Sequence, residues 1–344
     1  MNNMNLNRRK FIKRSILAGT VLGLNQDLLI DSSEQKEKIL RIGIIGLDTS
    51  HSPEFTRFFN SENAETGITG LRVVAAYPRG SEDIKSSVET IPEYTKQVQD
   101  MGVEIVDSIR SLLKKVDAIL LETNDGRTHL EQAREVFRTG KPVFIDKPLS
   151  ASLSDAVKIF REAKDKKVSL FSASSLRYLK NAQSVRYENK IGQVLGADTF
   201  SPASLEPHHP DLFWYGIHGV ETLYTVMGTG CDTVTRFQTA DTDFVVGKWK
   251  DGRIGTFRGT RTGTHDYGGI AFGTTGNIEL GPFEGYPALL IKIAEFFKSG
   301  ISPVDPLETL EIYGFMEAAD ESKRRGGSAV SVDEVLKKAG YQYQ

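Results

Sequence analysis

The sequence predicts an α/β protein with a parallel sheet in its N-terminal part and an α+β C-terminal part built on an open, mostly antiparallel sheet. From residue 38, strand-like and helix-like segments alternate, which is typical of a parallel sheet with helices on both faces. Residues 196–282 are instead rich in Gly and Thr, with short alternating runs between turn residues, as in antiparallel sheets. The chain of 344 residues is longer than one core usually grows, so we expect two domains, at 37–150 and 151–344.

The elements of the first half follow from their hydrophobic patterns. The expected strands are short apolar runs, as in strands buried on both faces: KILRIGIIGL (38–47), LRVVAAY (71–77), VEIVDSI (103–109), DAILLE (117–122), KPVFIDKPL (141–149) and VSLFSAS (168–174). The expected helices lie at 52–63, 81–102, 111–116, 128–140 and about 153–166, and Pro92 is expected to break the second of them. This order predicts a Rossmann-type domain, in which ligands bind beyond the carboxyl ends of the strands.

The second half contains alternating runs at TVTRFQTA (233–240), DFVVGKWKDG (243–252), RIGTFRGTR (253–261) and NIELG (277–281). Two helices close the chain, at PALLIKIAEFFKSG (287–300) and PLETLEIYGFMEAADESKRRGG (306–327). A sheet with one open, half-apolar face tends to be covered, so we expect a homodimer or a higher homo-oligomer.

Composition narrows the class of protein. The net charge of −2 gives no excess of positive charge with which to bind nucleic acid or an anionic membrane, so neither is an expected partner. The single cysteine, Cys231, excludes a disulfide framework and a multi-cysteine zinc site, and a buried position is expected for it. We expect a small molecule as the binding partner.

The first 36 residues have the features of an export signal with a linker. Arg8 and Arg9 precede Phe11 and a short apolar run, which is followed by a polar segment. The pattern RRxFIK resembles a twin-arginine signal, which implies a periplasmic location and export of the folded protein. The alternative is a basic tail without a targeting role.

The turn after the first strand departs from the glycine fingerprint of dinucleotide-binding domains. Aligned on GxGxxG, the sequence has Gly46, Asp48 and His51, so two of the three glycines are replaced. Asp48 would repel a diphosphate by roughly 4 kcal/mol at 4 Å and an effective dielectric near 20. The usual acidic residue after the second strand is also missing, although Arg79 and Ser81 could hold the 2′-phosphate of NADP.

The segment VDAILLETNDGRTHLEQAREVFRTGKPVFIDKPLSASLSDAVKIFREAK resembles the glucose-fructose oxidoreductase, inositol dehydrogenase and rhizopine-catabolism (Gfo/Idh/MocA) family. In that family a strand ends near a histidine, and a helix leads to GKxVxxEKPxA, which here reads GKPVFIDKPLS. The resemblance extends over about residues 38–332. It implies a Rossmann domain, an open antiparallel sheet, and oxidation or reduction of a sugar, inositol or related polyol with NAD or NADP.

The resemblance also implies catalytic residues. Lys147 matches the lysine of the EKP motif, with Asp146 at the position of its glutamate, and a lysine there can polarise an alcohol or carbonyl oxygen. His218 matches the acid/base histidine of DxGxH, although Trp214 replaces the aspartate. Tyr215 or Asp211 could substitute for that aspartate. Glu221 either orients the imidazole or is a solvated helix charge.

The complete candidate site has three parts. The catalytic candidates are Lys147 and His218. The cofactor candidates are Gly46, Asp48, Thr49, Ser50, His51, Arg79, Thr123, Asn124, Asp146 and Lys147. The substrate candidates are Lys147, Arg177, His209, Trp214, Tyr215 and His218, where the aromatic rings would stack on a sugar and Arg177 could instead hold the structure together.

Other polar clusters are weaker candidates. His208, His209 and Asp211 lie close in sequence, but adjacent residues of an extended segment point to opposite sides, so we expect no metal. His265 and Asp266 lie on a glycine-rich loop that either closes over the substrate or forms a hairpin turn.

Three functions remain open from the sequence. The first is an NAD(P)-dependent oxidoreductase acting on a sugar, polyol or sugar derivative. The alternatives are a lyase or hydrolase that acts on an oxidised sugar without a cofactor, with Asp48 and His51 in its site, and a non-catalytic sugar-binding protein.

Overall fold

The computed structural model describes residues 39–61, 68–264 and 266–342. The described part of residues 38–344 forms one compact unit that contains two sheets. The predicted export signal and linker at residues 1–36, and His265 of the glycine-rich loop, lie outside the described residues. The division into domains at residue 150 remains a prediction.

The first sheet is parallel and has the strand order β3-β2-β1-β4-β5-β6. Its strands are β1 (Leu40–Ile45), β2 (Leu71–Tyr77), β3 (Glu104–Ile105), β4 (Ala118–Leu121), β5 (Val143–Ile145) and β6 (Leu170–Phe171). Strands β4, β5 and β6 are buried on both faces, as their apolar runs predicted, whereas both residues of the edge strand β3 are at least partly exposed. The topology switches on either side of β1, so a crevice is expected at its carboxyl end.

Two strands are shorter than predicted because polar residues start the next helix. The run 103–109 contributes only β3, since the Ser108 side chain accepts a hydrogen bond from the Ser111 N–H and caps the following helix. The run 168–174 contributes only β6, since the Ser174 side chain caps a 3₁₀ helix at Ser175–Tyr178.

Five helices cover the parallel sheet: α1 (His51–Asn60), α2 (Lys85–Asp100), α3 (Ile109–Leu113), α4 (His129–Phe137) and α5 (Leu153–Lys166). The predicted break at Pro92 is wrong, because α2 continues through this residue. Pro92 is exposed, so water can satisfy the carbonyl oxygen that loses its N–H partner.

The second sheet has the order β12-β11-β7-β10-β9-β8-β13 and is antiparallel except for the parallel pair β7 and β10. Its strands are β7 (Val194–Pro202), β8 (Cys231–Gln238), β9 (Thr242–Trp249), β10 (Ile254–Thr260), β11 (Gly268–Gly273), β12 (Asn277–Glu279) and β13 (Val330–Ser331). The predicted fold class, a Rossmann-type parallel sheet followed by an open and mostly antiparallel sheet, is therefore confirmed. Cys231, at the start of β8, is buried.

The remaining helices are α6 (Lys180–Tyr187), α7 (Asp211–Trp214), α8 (Ile217–Met227), α9 (Pro287–Ser299), α10 (Pro306–Arg324) and α11 (Val332–Lys338). Every residue of α8 is buried, and the helix packs closely against the second sheet at Gly219, where a Cβ atom would lie 2.3 Å from Phe257. None of the described helices is long and apolar enough to cross a membrane.

Candidate functional site

A cavity of about 420 Å³ lies at the carboxyl ends of the parallel strands, beside the first residues of α8. This volume is within the range of roughly 300–1,000 Å³ that small-molecule sites occupy. It is lined by Asp48, Thr49, Ser50, His51, Ser86, Thr90, Tyr94, Asn124, Lys147, Ser175, Leu176, Trp214, Tyr215, His218, Tyr267, Phe283 and Tyr286. Nine of these residues belong to the candidate set that the sequence predicted.

A larger, mostly apolar groove of about 740 Å³ lies between α5 and the start of α10. It includes Val168 and Ser169, which precede β6, so it is at the amino ends of the parallel strands. Ligands of open α/β sheets bind at the opposite ends. We therefore place the functional site in the smaller cavity.

Gly46 retains the role of the first fingerprint glycine. Its φ angle is +91°, a left-handed conformation that favours glycine, and an added Cβ atom would lie 2.5 Å from the backbone nitrogen of Thr123. The chain can therefore turn sharply after β1 and pass close to the end of β4. Ser52 supports the turn by donating its hydroxyl to the Gly46 carbonyl oxygen at 2.9 Å.

Asp48, at the position of the second glycine, is turned towards backbone donors. Its carboxylate accepts hydrogen bonds from the N–H groups of Asn124 at 3.0 Å and Ser81 at 3.3 Å, and only 3% of the residue is exposed. It lies so close to the loop after β2 that a Cβ atom on Gly80 would be 2.1 Å from Asp48 Oδ2. Burial raises the pKa of this carboxyl, and the two backbone donors oppose the rise.

His51, at the position of the third glycine, lines the cavity and reaches the ends of two further strands. Its Nδ1 lies 2.7 Å from Asp146 Oδ2 and 3.6 Å from Glu122 Oε2. Phe55 stacks on the imidazole at a centroid distance of 4.9 Å, and Tyr286 meets it edge-on at 4.8 Å. Burial disfavours the charged ring, but the Asp146 carboxylate outweighs it and raises the pKa of His51 to about 9.

Glu122 is the least solvated carboxyl of this group, with no exposed surface. Burial, and secondarily the charge of Asp146, raises the pKa of Glu122 to about 7. Both of its carboxyl oxygens lack a hydrogen-bond partner. His51, Glu122 and Asp146 each place one possible ligand atom within 4.8 Å of the others.

Lys147 lies between the strand ends and α8. Its Nζ is 5.2 Å from the centre of the Tyr215 ring, a cation–π contact, and the residue lines the cavity with 8% of its surface exposed. Tyr215 also meets His218 edge-on, at a centroid distance of 5.7 Å. The structure thus brings the two catalytic candidates, Lys147 and His218, to the same cavity.

His218 is held by Ser174, with a distance of 2.7 Å between His218 Nδ1 and Ser174 Oγ. This leaves Nε2 as the nitrogen that can serve a ligand. Tyr267 also packs edge-on against the imidazole, at a centroid distance of 5.6 Å. Burial, and then the positive charge of Lys147, lowers the pKa of His218 well below its usual value, so the ring is neutral at ordinary pH.

Glu221 and Arg177 form the support behind His218. The Glu221 carboxylate accepts the N–H of Ser174 at 2.7 Å and the Nε–H of Arg177 at 2.6 Å. Arg177 also donates to Glu308 at 2.6 Å and is only 3% exposed. Glu221 is therefore a buried group that orients the imidazole through Ser174. Arg177 has a structural role, which was one of the two alternatives left open by the sequence, and does not line the cavity.

Several other candidates lie away from the cavity lining. Arg79 is exposed and lies 3.5 Å from Glu82. His209 is buried, accepts the Gly126 N–H at 3.2 Å and packs on Trp214. Thr123 is buried behind Gly46 and does not line the cavity.

Asp211 does not substitute for the family aspartate, because it pairs with Arg236 and Lys323 at 2.8 and 2.6 Å. Tyr215 lines the cavity instead. His208 interacts with Glu206, so His208, His209 and Asp211 have separate partners and do not form one metal site.

Sequence reasoning missed Glu122, Ser174, Tyr267 and Tyr286. Glu122 follows directly after a buried strand, and Ser174 ends the sixth strand-like run, so the rule that ligands bind at carboxyl ends would have indicated both. Tyr267 precedes β11, and Tyr286 precedes α9, and neither position shows a local sequence signal.

The strand order of the first sheet, the tight turn at Gly46 and the cavity above it define a dinucleotide-type Rossmann domain followed by an open sheet. Residues 40–174 match the Gfo/Idh/MocA family profile, described as an oxidoreductase family with an NAD-binding Rossmann fold. The match covers this part of the chain and agrees with the family resemblance predicted from the sequence. No curated protein matches the chain significantly.

Solved structures share the fold over most of the chain. A probable dehydrogenase from Thermotoga maritima is 21% identical, with a TM-score of 0.69 over 86% of this chain and 100% of that one. An oxidoreductase from Agrobacterium radiobacter, in complex with NAD⁺, L-tartaric acid and magnesium, is 16% identical, with a TM-score of 0.69 over 86% and 99%. The scyllo-inositol dehydrogenase from Lactobacillus casei, with NAD(H) and scyllo-inositol, is 15% identical, with a TM-score of 0.67 over 86% and 100%.

The residues at the cavity fit a nicotinamide dinucleotide. Gly46 keeps the tight turn, and Thr49 and Ser50 line the cavity beside it. The first N–H groups of α1 are already used, because the His51 N–H donates to Thr49 Oγ1 at 3.0 Å, the Ser52 N–H donates to the Thr49 carbonyl oxygen at 3.2 Å, and Pro53 has none. The cavity extends from Thr90 of α2, across this turn, to Lys147 and His218. Asp48 adds a negative charge, but its carboxylate is directed at the loop after β2.

Proposed function

We propose that this protein is an NAD-dependent oxidoreductase that interconverts a hydroxyl group and a carbonyl group on a sugar or polyol. The observation that carries the proposal is the convergence of Lys147 and His218 on one cavity, next to the β1–α1 turn of a dinucleotide-type sheet. The family match and the dehydrogenases among the structural neighbours support it. The bound dinucleotide would supply the hydride acceptor or donor.

His218 is suited to move the proton of the substrate hydroxyl. A neutral imidazole that carries its proton on Nδ1, 2.7 Å from Ser174 Oγ, can accept a proton at Nε2 during oxidation and return it during reduction. Lys147, held over the Tyr215 ring, can donate a hydrogen bond to the same substrate oxygen and stabilise negative charge that develops on it.

The cavity wall favours a carbohydrate or a related polyol. Tyr215, Tyr267, Phe283 and Tyr286 present aromatic surface, which packs on the apolar face of a sugar ring, while the phenol groups can hydrogen-bond to its hydroxyls. Asn124 and Ser175 add further polar groups. The sequence expected the aromatic contact from Trp214 and Tyr215, and both line the cavity.

The position of Asp48 favours NAD over NADP. In dinucleotide-binding domains a carboxylate after β2 holds the ribose hydroxyls, and this chain has none at that position. Asp48 places its carboxylate against the same loop, at Gly80 and Ser81. A 2′-phosphate there would meet a like charge, and Arg79, the predicted phosphate ligand, is instead 3.5 Å from Glu82.

Asp48 also favours a second candidate function. Its carboxylate joins the loops after β2 and β4 across the crevice, which suits a lyase or hydrolase that acts on an oxidised sugar without a cofactor. In that case Lys147 and His218 would remove the proton next to a carbonyl group and protonate the leaving oxygen. A non-catalytic sugar-binding protein would share the cavity but need neither group.

Thermal melting with NAD⁺, NADH, NADP⁺ and NADPH, each at millimolar concentration, separates these functions. We expect NAD⁺ or NADH to raise the melting temperature more than the phosphorylated forms. No shift with any of the four, together with no dinucleotide absorbance in the purified protein, would reject the oxidoreductase. Turnover of a 3-keto-glycoside that Lys147→Met abolishes would then support the cofactor-independent enzyme, and the absence of turnover would leave a binding protein.

We also propose a periplasmic location, because the RRxFIK pattern of the first residues suggests export by the twin-arginine route. Replacing Arg8 and Arg9 by Lys should leave the protein in the cytoplasm if this is correct. Fractionation of cells that express the full chain and the double variant tests it, and an unchanged distribution would contradict it.

A further inference from the structure

Glu122 is a buried carboxyl whose neighbours do not satisfy its hydrogen-bonding capacity. The residue has no exposed surface, and neither of its carboxyl oxygens has a hydrogen-bond partner. Asp146 Oδ1 is unpartnered in the same way. Leaving such groups unsatisfied away from water costs free energy, so a buried carboxyl usually has a cation, a donor or a proton of its own.

His51 cannot satisfy both carboxyls by itself. Its Nδ1 can carry a single proton, and that nitrogen lies 2.7 Å from Asp146 Oδ2 but 3.6 Å from Glu122 Oε2. Among the ion pairs of the described residues, none joins Lys147 to Asp146 or Glu122. His51 is therefore placed to pair with Asp146, and both Glu122 oxygens and Asp146 Oδ1 are left without a hydrogen-bond donor among the described residues.

We propose that His51, Glu122 and Asp146 bind a divalent transition-metal cation. Metal bonds of about 2.0–2.2 Å to N and O ligands place the ligand atoms roughly 3–3.5 Å apart. The separations of 2.7 and 3.6 Å, with all three atoms within 4.8 Å, approach this geometry. The three side chains come from the start of α1 and the ends of β4 and β5, which positions them rigidly.

The chemistry of the ligands selects the kind of cation. One imidazole nitrogen with two carboxylates suits Zn²⁺, or Mn²⁺ and Fe²⁺, better than Ca²⁺ or Mg²⁺, which prefer oxygen ligands alone. Two carboxylates and a neutral imidazole also balance a double positive charge. The site is closed, because Glu122 and Asp146 do not line the cavity, so a sugar hydroxyl in the cavity does not reach their unpartnered oxygens.

A proton on Glu122 is the competing explanation, and one substitution separates the two. Glu122→Gln has the shape of the protonated acid, so it preserves a proton-satisfied site but removes a metal ligand. His208→Gln is the matched control, because His208 forms a surface cluster with Glu206 and Asp83 that could bind zinc adventitiously. The proposal is independent of the proposed function, since the test involves neither a dinucleotide nor turnover.

The experiment uses the untagged full chain, treated with EDTA and then titrated with ZnCl₂ and MnCl₂ by calorimetry, with elemental analysis of the protein as isolated. We expect one Zn²⁺ per chain in the wild type and in His208→Gln. In Glu122→Gln we expect the affinity for Zn²⁺ to fall by at least about tenfold. Mutation of a group that only orients a metal ligand already lowers metal affinity by about tenfold or more, and Glu122 is proposed as a ligand itself.

Three results would overturn the proposal: no binding by the wild type, undiminished affinity in Glu122→Gln, or loss of zinc in His208→Gln alone. Asp146→Asn provides a second ligand variant if Glu122→Gln does not fold. Anomalous diffraction at the zinc edge should place the ion next to His51 Nδ1, and an ion elsewhere would also contradict it.

Discussion

The carboxylate of Asp48 accepts the backbone N–H of Asn124 at 3.0 Å, which connects the turn after β1 with the loop after β4. These residues are 76 positions apart and occupy the crevice at the topological switch of the parallel sheet. A charged side chain at the second fingerprint position therefore has a structural partner on each side of the crevice, since Ser81 donates to it as well.

We predict that Asp48→Asn weakens NAD binding by about tenfold and reduces the preference for NAD over NADP. The carboxylate aligns the loops after β2 and β4 through charge-assisted hydrogen bonds to Ser81 and Asn124, and losing one of these costs about 1.5 kcal/mol. Because NAD binding must then restore this alignment, the cost corresponds to roughly a tenfold change in Kd. Calorimetric titration with both dinucleotides measures the effect. Tighter binding in Asp48→Asn or Asp48→Gly would show instead that the native side chain opposes the dinucleotide.

His218→Asn should lower kcat by about 10²–10⁴-fold, the range typical for removing a general acid or base. Ser174→Ala should have a smaller effect, because it removes only the group that holds Nδ1. Steady-state kinetics on the best polyol substrate measures both. Equal rates for His218→Asn and the wild type would remove His218 from the proposed mechanism.

The pH dependence of His218 provides a separate prediction. Burial and the nearby Lys147 both disfavour the imidazolium, so the ring loses its proton at a lower pH than in a free peptide. Oxidation needs the neutral ring. Because His218 stays neutral between pH 8 and 6.5, kcat/KM should not decline over this range through protonation of the base. NMR titration of the imidazole should show no protonation above pH 6.5, and Lys147→Met should raise the pKa of His218 because the second-largest cause of its lowering is removed.

The fold was predictable because its signals are local. The buried strands of the first sheet are continuous apolar runs, and the turn residues of the second sheet separate short alternating runs. Pro92 misled the prediction because its position on the exposed face of α2 makes the missing hydrogen bond tolerable, and exposure depends on tertiary packing.

The site was predictable only where a motif fixed it. Lys147 and His218 follow from family motifs, but Ser174 and Glu221 become parts of the support for His218 through contacts over more than 40 positions. The contact between His51 and Asp146 spans 95 positions, and no local pattern encodes it. Asp48 was expected to face a diphosphate, whereas the fold supplies backbone donors that turn it to the neighbouring loop.

Arg177→Met should lower the free energy of unfolding by about 3–5 kcal/mol, because it leaves the carboxylates of Glu221 and Glu308 buried without their shared cation. Urea denaturation followed by circular dichroism measures the loss. Arg57→Met is the matched control, since its ion pair with Glu54 is exposed and should contribute less than about 1 kcal/mol. A similar loss for both variants would show that Arg177 is not a central support of the fold.

The open face of the second sheet is the expected dimer interface. Phe200, Ile254 and Ile270 are 40%, 54% and 40% exposed, and the strand registers place them on one face. Phe200→Glu should raise the dimer dissociation constant by at least about tenfold, the effect of losing about 1.4 kcal/mol at an apolar contact. Sedimentation equilibrium of the wild type and the variant measures this. Ile301→Glu is the control, because Ile301 is 74% exposed but follows α9, outside the second sheet. A monomeric wild type, or equal weakening by both substitutions, would contradict an interface on this face.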